Sequence, residues 1–250
     1  MQTFKMRYYF LLLLLILALS SGAFLLWASN AQSASPEALA ALESGDGVIV
    51  SSERWLVFQP EGQEVTMGLI FYPGGRVDPR AYAPFARDIA RAGFLVVIVP
   101  MPLNLALLDV EAARAVMLAY LDIDYWALGG HSLGGIAAAQ FTAQNPRLVD
   151  GLVLWASFPQ GSEALAARND LVTVSIYGSN DTLTTLTNIE ASRALLPPDS
   201  VFVVIEGGNH AQFGWYGVQA GDGVASISPE EQQRQTVAAT IAVLRQLGTR

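Results

Sequence analysis

The sequence predicts an α/β fold, a mostly parallel sheet flanked by helices. Three observations carry this. Short apolar, β-branched runs bounded by Gly or Pro recur along the chain, as in strands covered on both faces. Segments with helical periodicity separate them. One strand passes through a glycine-rich turn straight into a helix, in the stretch DYWALGGHSLGGIAAAQ.

The chain opens on an uncharged run, FLLLLLILALSSGAFLLW at 10–27, preceded by Lys5 and Arg7 and followed by no acid before Glu37. About 18 apolar residues are enough to cross a bilayer with the basic flank inside and Trp27 at the outer interface. Residues 8–19 also fit the h-region of a signal peptide, with small residues at Ser29-Asn30-Ala31 for cleavage. The run continues past SSG, longer than a usual h-region, which favours an uncleaved anchor. Either reading places the remaining chain outside the cytoplasm. Three regions follow: an anchor or signal over 1–31, a linker or short helix over 32–45, and one domain over 46–250.

Strands are expected at 48–58, 68–72, 94–100, 125–130, 151–156, 171–177 and 201–206. Helices are expected at 79–92, 109–121, 133–144, 183–195 and 229–247. Crossovers between parallel strands should be right-handed. The longest irregular stretches, 157–170 and 207–228, are of a length that in a packed domain often serves function.

Composition excludes several classes. Beyond the apolar run, 12 arginines face 22 acids, a net charge of 12 − 22 = −10. Such a surface argues against nucleic acid and anionic lipid as partners. No cysteine is present, so no disulfide, thiol nucleophile or cysteine metal site is available. With two histidines, both otherwise placed, a catalytic metal is not expected, and no cofactor is implied.

GGHSLGG at 129–135 lacks the lysine of a phosphate loop and the spacing of a dinucleotide fingerprint. Its place between strand and helix instead fits Gly130-x-Ser132-x-Gly134 as a sharp turn presenting a serine nucleophile at the sheet edge. Neighbouring side chains on such a turn diverge, so His131 is expected to pack or hydrogen-bond beside the strand ends. The base for Ser132 is then His210, in EGGNHAQF directly after a strand. The orienting carboxylate should follow another strand, between serine and histidine in chain order. Asp181, in YGSNDTLT, meets this condition, and it also suits a turn or helix cap. Asp150 and Asp170 precede strands, Glu190 lies within a helix, and Asp199 precedes the last strand. An oxyanion hole needs two backbone donors. The Leu133 N–H is one, and YPGG at 72–75 supplies the other, from Gly75 in preference to Gly74 or Arg76. Phe158, Trp215 and Tyr216 are weaker candidates for pocket walls, and PMPLNLALL at 100–108 either lines the same cleft or belongs to the core. Asp222, in AGDG, reads as a turn.

With Ser132, Asp181 and His210 in this order, the chain resembles the α/β-hydrolase superfamily over roughly 46–247. Within it, the chain is similar to α/β hydrolase family 5, relatives of dienelactone hydrolases. The stretches FYPGGRVDPRAYAPFARDIA, VVIVPMPLNLALL, GGHSLGG, GLVLWASFP, YGSNDTLT and EGGNHAQFGWYGVQAGDG carry the resemblance. Dienelactone hydrolases proper use cysteine where this chain has Ser132, so that activity does not transfer. The resemblance implies hydrolysis of an ester-like bond with Ser132, Asp181 and His210 as triad and names no substrate; a small-molecule ester and no cofactor are the expectation. The gap at 157–170 is too short for a substantial helical cap, which suggests an open site for short acyl groups. Amide, thioester or lactone hydrolysis, or acyl transfer to an envelope acceptor, uses the same triad. A silent binding module on this fold would have lost a triad residue or glycine, and none is lost. Oligomeric state is not legible in the sequence.

Overall fold

The computed structural model describes residues 2–161 and 165–249. An apolar helix, α1 (Gln2–Ser29), leads into a short helix, α2 (Pro36–Ala40), capped by the Ser35 hydroxyl. Eight strands then form one sheet: β1 (Val48–Ser51), β2 (Leu56–Pro60), β3 (Met67–Tyr72), β4 (Leu95–Ile98), β5 (Tyr125–His131), β6 (Gly151–Trp155), β7 (Val172–Gly178) and β8 (Val201–Ile205). Their order is β1-β2-β4-β3-β5-β6-β7-β8. β1 and β2 are antiparallel to their neighbours, and the other pairs run parallel. The expected run over 48–58 is thus two strands. The polar stretch SSER lets the chain turn back, and Val48 pairs with Pro60.

The helices α3 (Ala83–Arg91), α4 (Ala112–Ala119), α5 (Leu133–Gln144), α6 (Leu186–Ser192) and α7 (Pro229–Leu244) cover both faces. Side chains alternate across each strand. Leu69, Phe71 and Trp155 therefore join Phe85 and Phe213 in the core under α3 and α7. Ile70, Tyr72, Leu128 and Leu154 meet Phe141 on the α5 side. Completely buried aromatics of this size dominate the apolar area withdrawn from water, at about 25 cal/mol per Å². With the parallel strands β3 to β8 aligned, their carboxyl ends form one edge, where loops from different strands meet.

Helix α6 starts later than the periodicity of 183–195 suggests. Thr185 caps it by a reciprocal pair with Asn188, and the preceding Leu183 and Thr184 N–H groups go to Asp181 instead.

Candidate active site

β5 ends at His131, and the next residue turns the chain into α5. Ser132 sits there at φ 50°, ψ −120°, a conformation rare for a residue with a side chain. The turn depends on Gly130 and Gly134. A Cβ at Gly130 would meet the Gly134 backbone, and one at Gly134 would meet the carbonyl oxygens of Tyr72 and Pro73. The Ser132 backbone is tied to β6, its N–H donating to Trp155 at 2.9 Å and its carbonyl accepting from the Ser157 hydroxyl at 2.7 Å. Among the described residues the Ser132 hydroxyl has no hydrogen-bond partner. Catalytic serine–imidazole bonds are often long until substrate arrives.

The loop after β8 carries His210, whose ring is almost fully buried. Its Nδ1 lies 2.8 Å from Asp181 Oδ2, on the loop after β7. Asp181 is buried too, and its second oxygen accepts the Leu183 and Thr184 N–H groups at 2.8 and 2.7 Å. The carboxylate is therefore aimed by two backbone donors before it meets the imidazole. The histidine loop is latched on both sides of His210. Asn209 exchanges two hydrogen bonds with the buried Gln232 side chain of α7. The Ala211 N–H goes to Asp222 Oδ2 at 2.8 Å. Asp222 thus holds this loop, and its other oxygen takes the Gly223 N–H.

His131 is buried against the histidine loop and Tyr82. Its ring centre lies 4.6 Å from that of His210, and its Nδ1 is 2.9 Å from Tyr82 Oη. Burial, and then the neighbouring His210, hold the His131 imidazole well below its ordinary pKa, so it is neutral. Tyr82 Oη also accepts the Gly74 N–H at 2.9 Å, and burial pushes the Tyr82 phenol well above its usual pKa. Its own proton is consequently available to His131 Nδ1. The glycine loop is organised by these bonds. Gly74 spends its N–H on Tyr82, and Arg76 donates to the Asn104 carbonyl at 2.7 Å. Gly74 is thereby removed as an oxyanion donor, because its proton is already given. Gly75 N–H and Leu133 N–H have no acceptor among the described residues. The two loops adjoin, since a Cβ at Gly75 would lie 3.0 Å from Leu133 Cδ2. Leu133 opens α5, whose free N–H groups and positive dipole end favour developing negative charge here.

The candidate pocket residues divide. Phe158 follows Ser157 and is half-buried. Tyr216 is buried, with its ring 6.4 Å from that of His131 and its hydroxyl on Gln219. Trp215 donates to Gln233 of α7 and walls a cavity of about 490 Å³ behind the histidine loop. Tyr82, Ser157, Asn209 and Gln232 were not singled out from the sequence. Only the tertiary crossing of α3, α7 and the strand ends gives their polar atoms these partners. A separate cavity of about 600 Å³, lined by Thr66, Leu95, Tyr120 and Asp122, lies at the opposite strand ends. Among the described residues no cluster of three or more His, Cys, Asp or Glu side chains is arranged to hold a metal.

A model of the family described as "Alpha/beta hydrolase family" matches residues 68–234. Among solved structures, a predicted CIB-like hydrolase from Thermoplasma acidophilum aligns with TM-score 0.58 at 18% identity, over 78% of this chain and 100% of that one. The esterase domain of a Rhodothermus marinus protein gives 0.56 at 12% identity, over 76% and 92%. These likenesses are of fold. Uncharacterized proteins of Mycobacterium tuberculosis and Mycobacterium bovis are 43% identical over 65 residues, 20% of this chain. The match spans 19% of the length of those relatives.

Proposed function

The chain belongs to the alpha/beta hydrolase family, and on that premise we infer that it is a serine hydrolase cleaving carboxylic esters of small acyl groups. The observation that carries this reading is the strained Ser132 at the start of α5, on the same sheet edge as the buried Asp181–His210 pair. In this reading Ser132 Oγ attacks the acyl carbonyl, and His210 Nε2 takes the hydroxyl proton. Asp181 fixes the proton on Nδ1 and stabilises the imidazolium. The oxyanion rests on the Gly75 and Leu133 N–H groups. His210 returns its proton to the departing alkoxide, which leaves as an alcohol. Water, deprotonated by the same imidazole, then releases the acid and restores Ser132.

Preference for small acyl groups is supported by the short connection from Trp155 at the end of β6 to Val172 at the start of β7. Residues 162–164 within it lie outside the described residues, and its described part contributes no helix. Location outside the cytoplasm, anchored by α1, is part of the same reading. It is supported by the apolar span Tyr9–Ser29, none of whose hydrophobic window is buried.

The test uses a fluorophosphonate probe and p-nitrophenyl esters of increasing acyl length on wild type, Ser132→Ala and His210→Ala. Wild type should label, and each variant should lose at least about 10³-fold in turnover. Labelling of Ser132→Ala at the wild-type rate refutes the nucleophile. Rates that climb steadily to long-chain triglycerides refute the acyl preference.

A further inference from the structure

The end of α1 is fastened to the domain. Ala28 is fully buried, and the Arg76 guanidinium lies 4.5 Å over the Trp27 ring while donating to the Asn30 carbonyl at 2.7 Å. Gln32 then runs beside Val77, its N–H donating to the Arg76 carbonyl and its own carbonyl accepting from Asp78 N–H. Three residues on, the Ser35 N–H reaches the Trp215 carbonyl at 2.7 Å. The segment leaving α1 is therefore stitched to both loops that flank Ser132. One attachment adjoins Gly75, and the other lies five positions after His210.

That fastening sets the end of an apolar helix beside the site. The span Tyr9–Ser29 is 21 residues, about 32 Å of helix, which matches the hydrocarbon thickness. Trp27, two residues before its end, is a residue suited to the interface. The attachments at Arg76, Val77 and Trp215 bring this end of α1 to the edge of the sheet that presents Ser132. The same edge carries uncovered apolar side chains on three separate loops. Leu103, Leu107 and Leu108 follow β4, Leu183 follows β7, and Val218 and Val224 follow β8 and are 91% and 88% exposed. A rim of this kind, which meets α1 at the Pro102–Asn104 turn, has the chemistry of an interfacial surface.

We propose that the mouth of the active site rests on the bilayer that α1 spans. Its substrate is then an amphiphile lodged in that bilayer, presenting a small acyl ester at head-group depth. The proposal rests on the serine-hydrolase and anchor readings given above, and it extends them by naming where the ester comes from. The net charge of −10 beyond the apolar run opposes anionic head groups, so the matching surface is zwitterionic. An ester held in the bilayer by its own alkyl chain needs no deep acyl pocket, consistent with the short β6–β7 connection.

The full chain lacks cysteine, so single Cys substitutions take a fluorophore cleanly. Leu108→Cys and Val218→Cys report the rim. Leu121→Cys, 79% exposed beside α4 at the opposite strand ends, is the control. In phosphatidylcholine vesicles containing a nitroxide head-group lipid, the rim labels should be quenched at least about threefold more than the control. Equal quenching at the three positions overturns the docking. A second arm compares an acetyl ester carried on a long-chain glyceride in those vesicles with a water-soluble acetate ester. The bilayer-borne ester should turn over at least about tenfold faster at matched total concentration. Preference for the soluble ester overturns the substrate class. A mature chain that begins at Gln32 overturns both. If wild type fails to react with fluorophosphonate, the serine-hydrolase reading and the substrate class fall together, and label depth still decides the docking.

Discussion

Asp181→Asn is the most informative single change, because the structure dictates which way the new amide must face. The carboxylate takes two backbone N–H donors, from Leu183 and Thr184, on one oxygen and the His210 ring on the other. An asparagine keeps an oxygen toward those two donors. Flipping it would set an NH₂ against both N–H groups and forfeit two buried hydrogen bonds, about 1–3 kcal/mol each. The amide NH₂ therefore points at His210 Nδ1 and donates to it. The imidazole then holds its proton on Nε2, where it cannot accept one from Ser132. Loss of the correct tautomer should lower kcat by about 10³–10⁴-fold, or about 4–5.5 kcal/mol of barrier. Because both backbone donors keep their acceptor, thermal unfolding should move by only a few degrees. The assay is steady-state hydrolysis of p-nitrophenyl acetate together with the rate of fluorophosphonate labelling, each paired with a melt. A folded Asp181→Asn within tenfold of wild type refutes the role given to Asp181.

Tyr82→Phe removes the shared hydroxyl that serves Gly74 and His131. It should cost about 1–3 kcal/mol in a urea titration, with about a tenfold fall in kcat as the glycine loop loosens. An unchanged urea midpoint and kcat would remove Tyr82 from that loop's support. Gly134→Ala drives a methyl into the Tyr72 and Pro73 carbonyl oxygens, a backbone collision that should cost about 3 kcal/mol or more. Denaturation of the purified variant at the wild-type midpoint would contradict it. His131 is neutral in the fold because burial depresses its pKa, whereas an unfolded histidine protonates near pH 6.5. Its contribution is complete above that pH and is lost as pH falls, by up to about 1.4 kcal/mol per unit. Between pH 6.5 and 5, stability of His131→Gln should therefore fall less steeply than that of wild type, and parallel curves would exclude the effect.

Much of the layout is legible because strand and helix signals here are local. The parallel strands stand within one or two residues of their apolar runs, and 133–144 coincides with α5. Ser132 is legible because Gly130 and Gly134 mark one chain turn. His210 is legible by scarcity, there being two histidines and one of them beside the serine. What is not legible depends on crossings between distant segments. Tyr82 reads as a core residue of a helical pattern, and only the approach of the ends of β3 and β5 brings Gly74 and His131 to its hydroxyl. The 48–58 run reads as one strand because apolar residues flank SSER, whose turn is fixed by pairing with β4. The stretch 28–35 is small and polar in sequence, and its bonds to Arg76, Asp78 and Trp215 follow from where the glycine and histidine loops converge.

The backbone at Ser132 also bears on how this chain would respond to engineering. A residue with a Cβ held at φ 50° carries strain of about 1–3 kcal/mol, and glycine at 132 would relieve it at no steric cost. A library screened only for heat resistance would thus drift toward replacing this serine, and an algorithm scoring backbone fit would recommend the same exchange. With Ser132 as the proposed nucleophile, position 132 is where folding and chemistry favour different amino acids. Any stabilisation campaign on this scaffold has to exempt that one residue from its own objective.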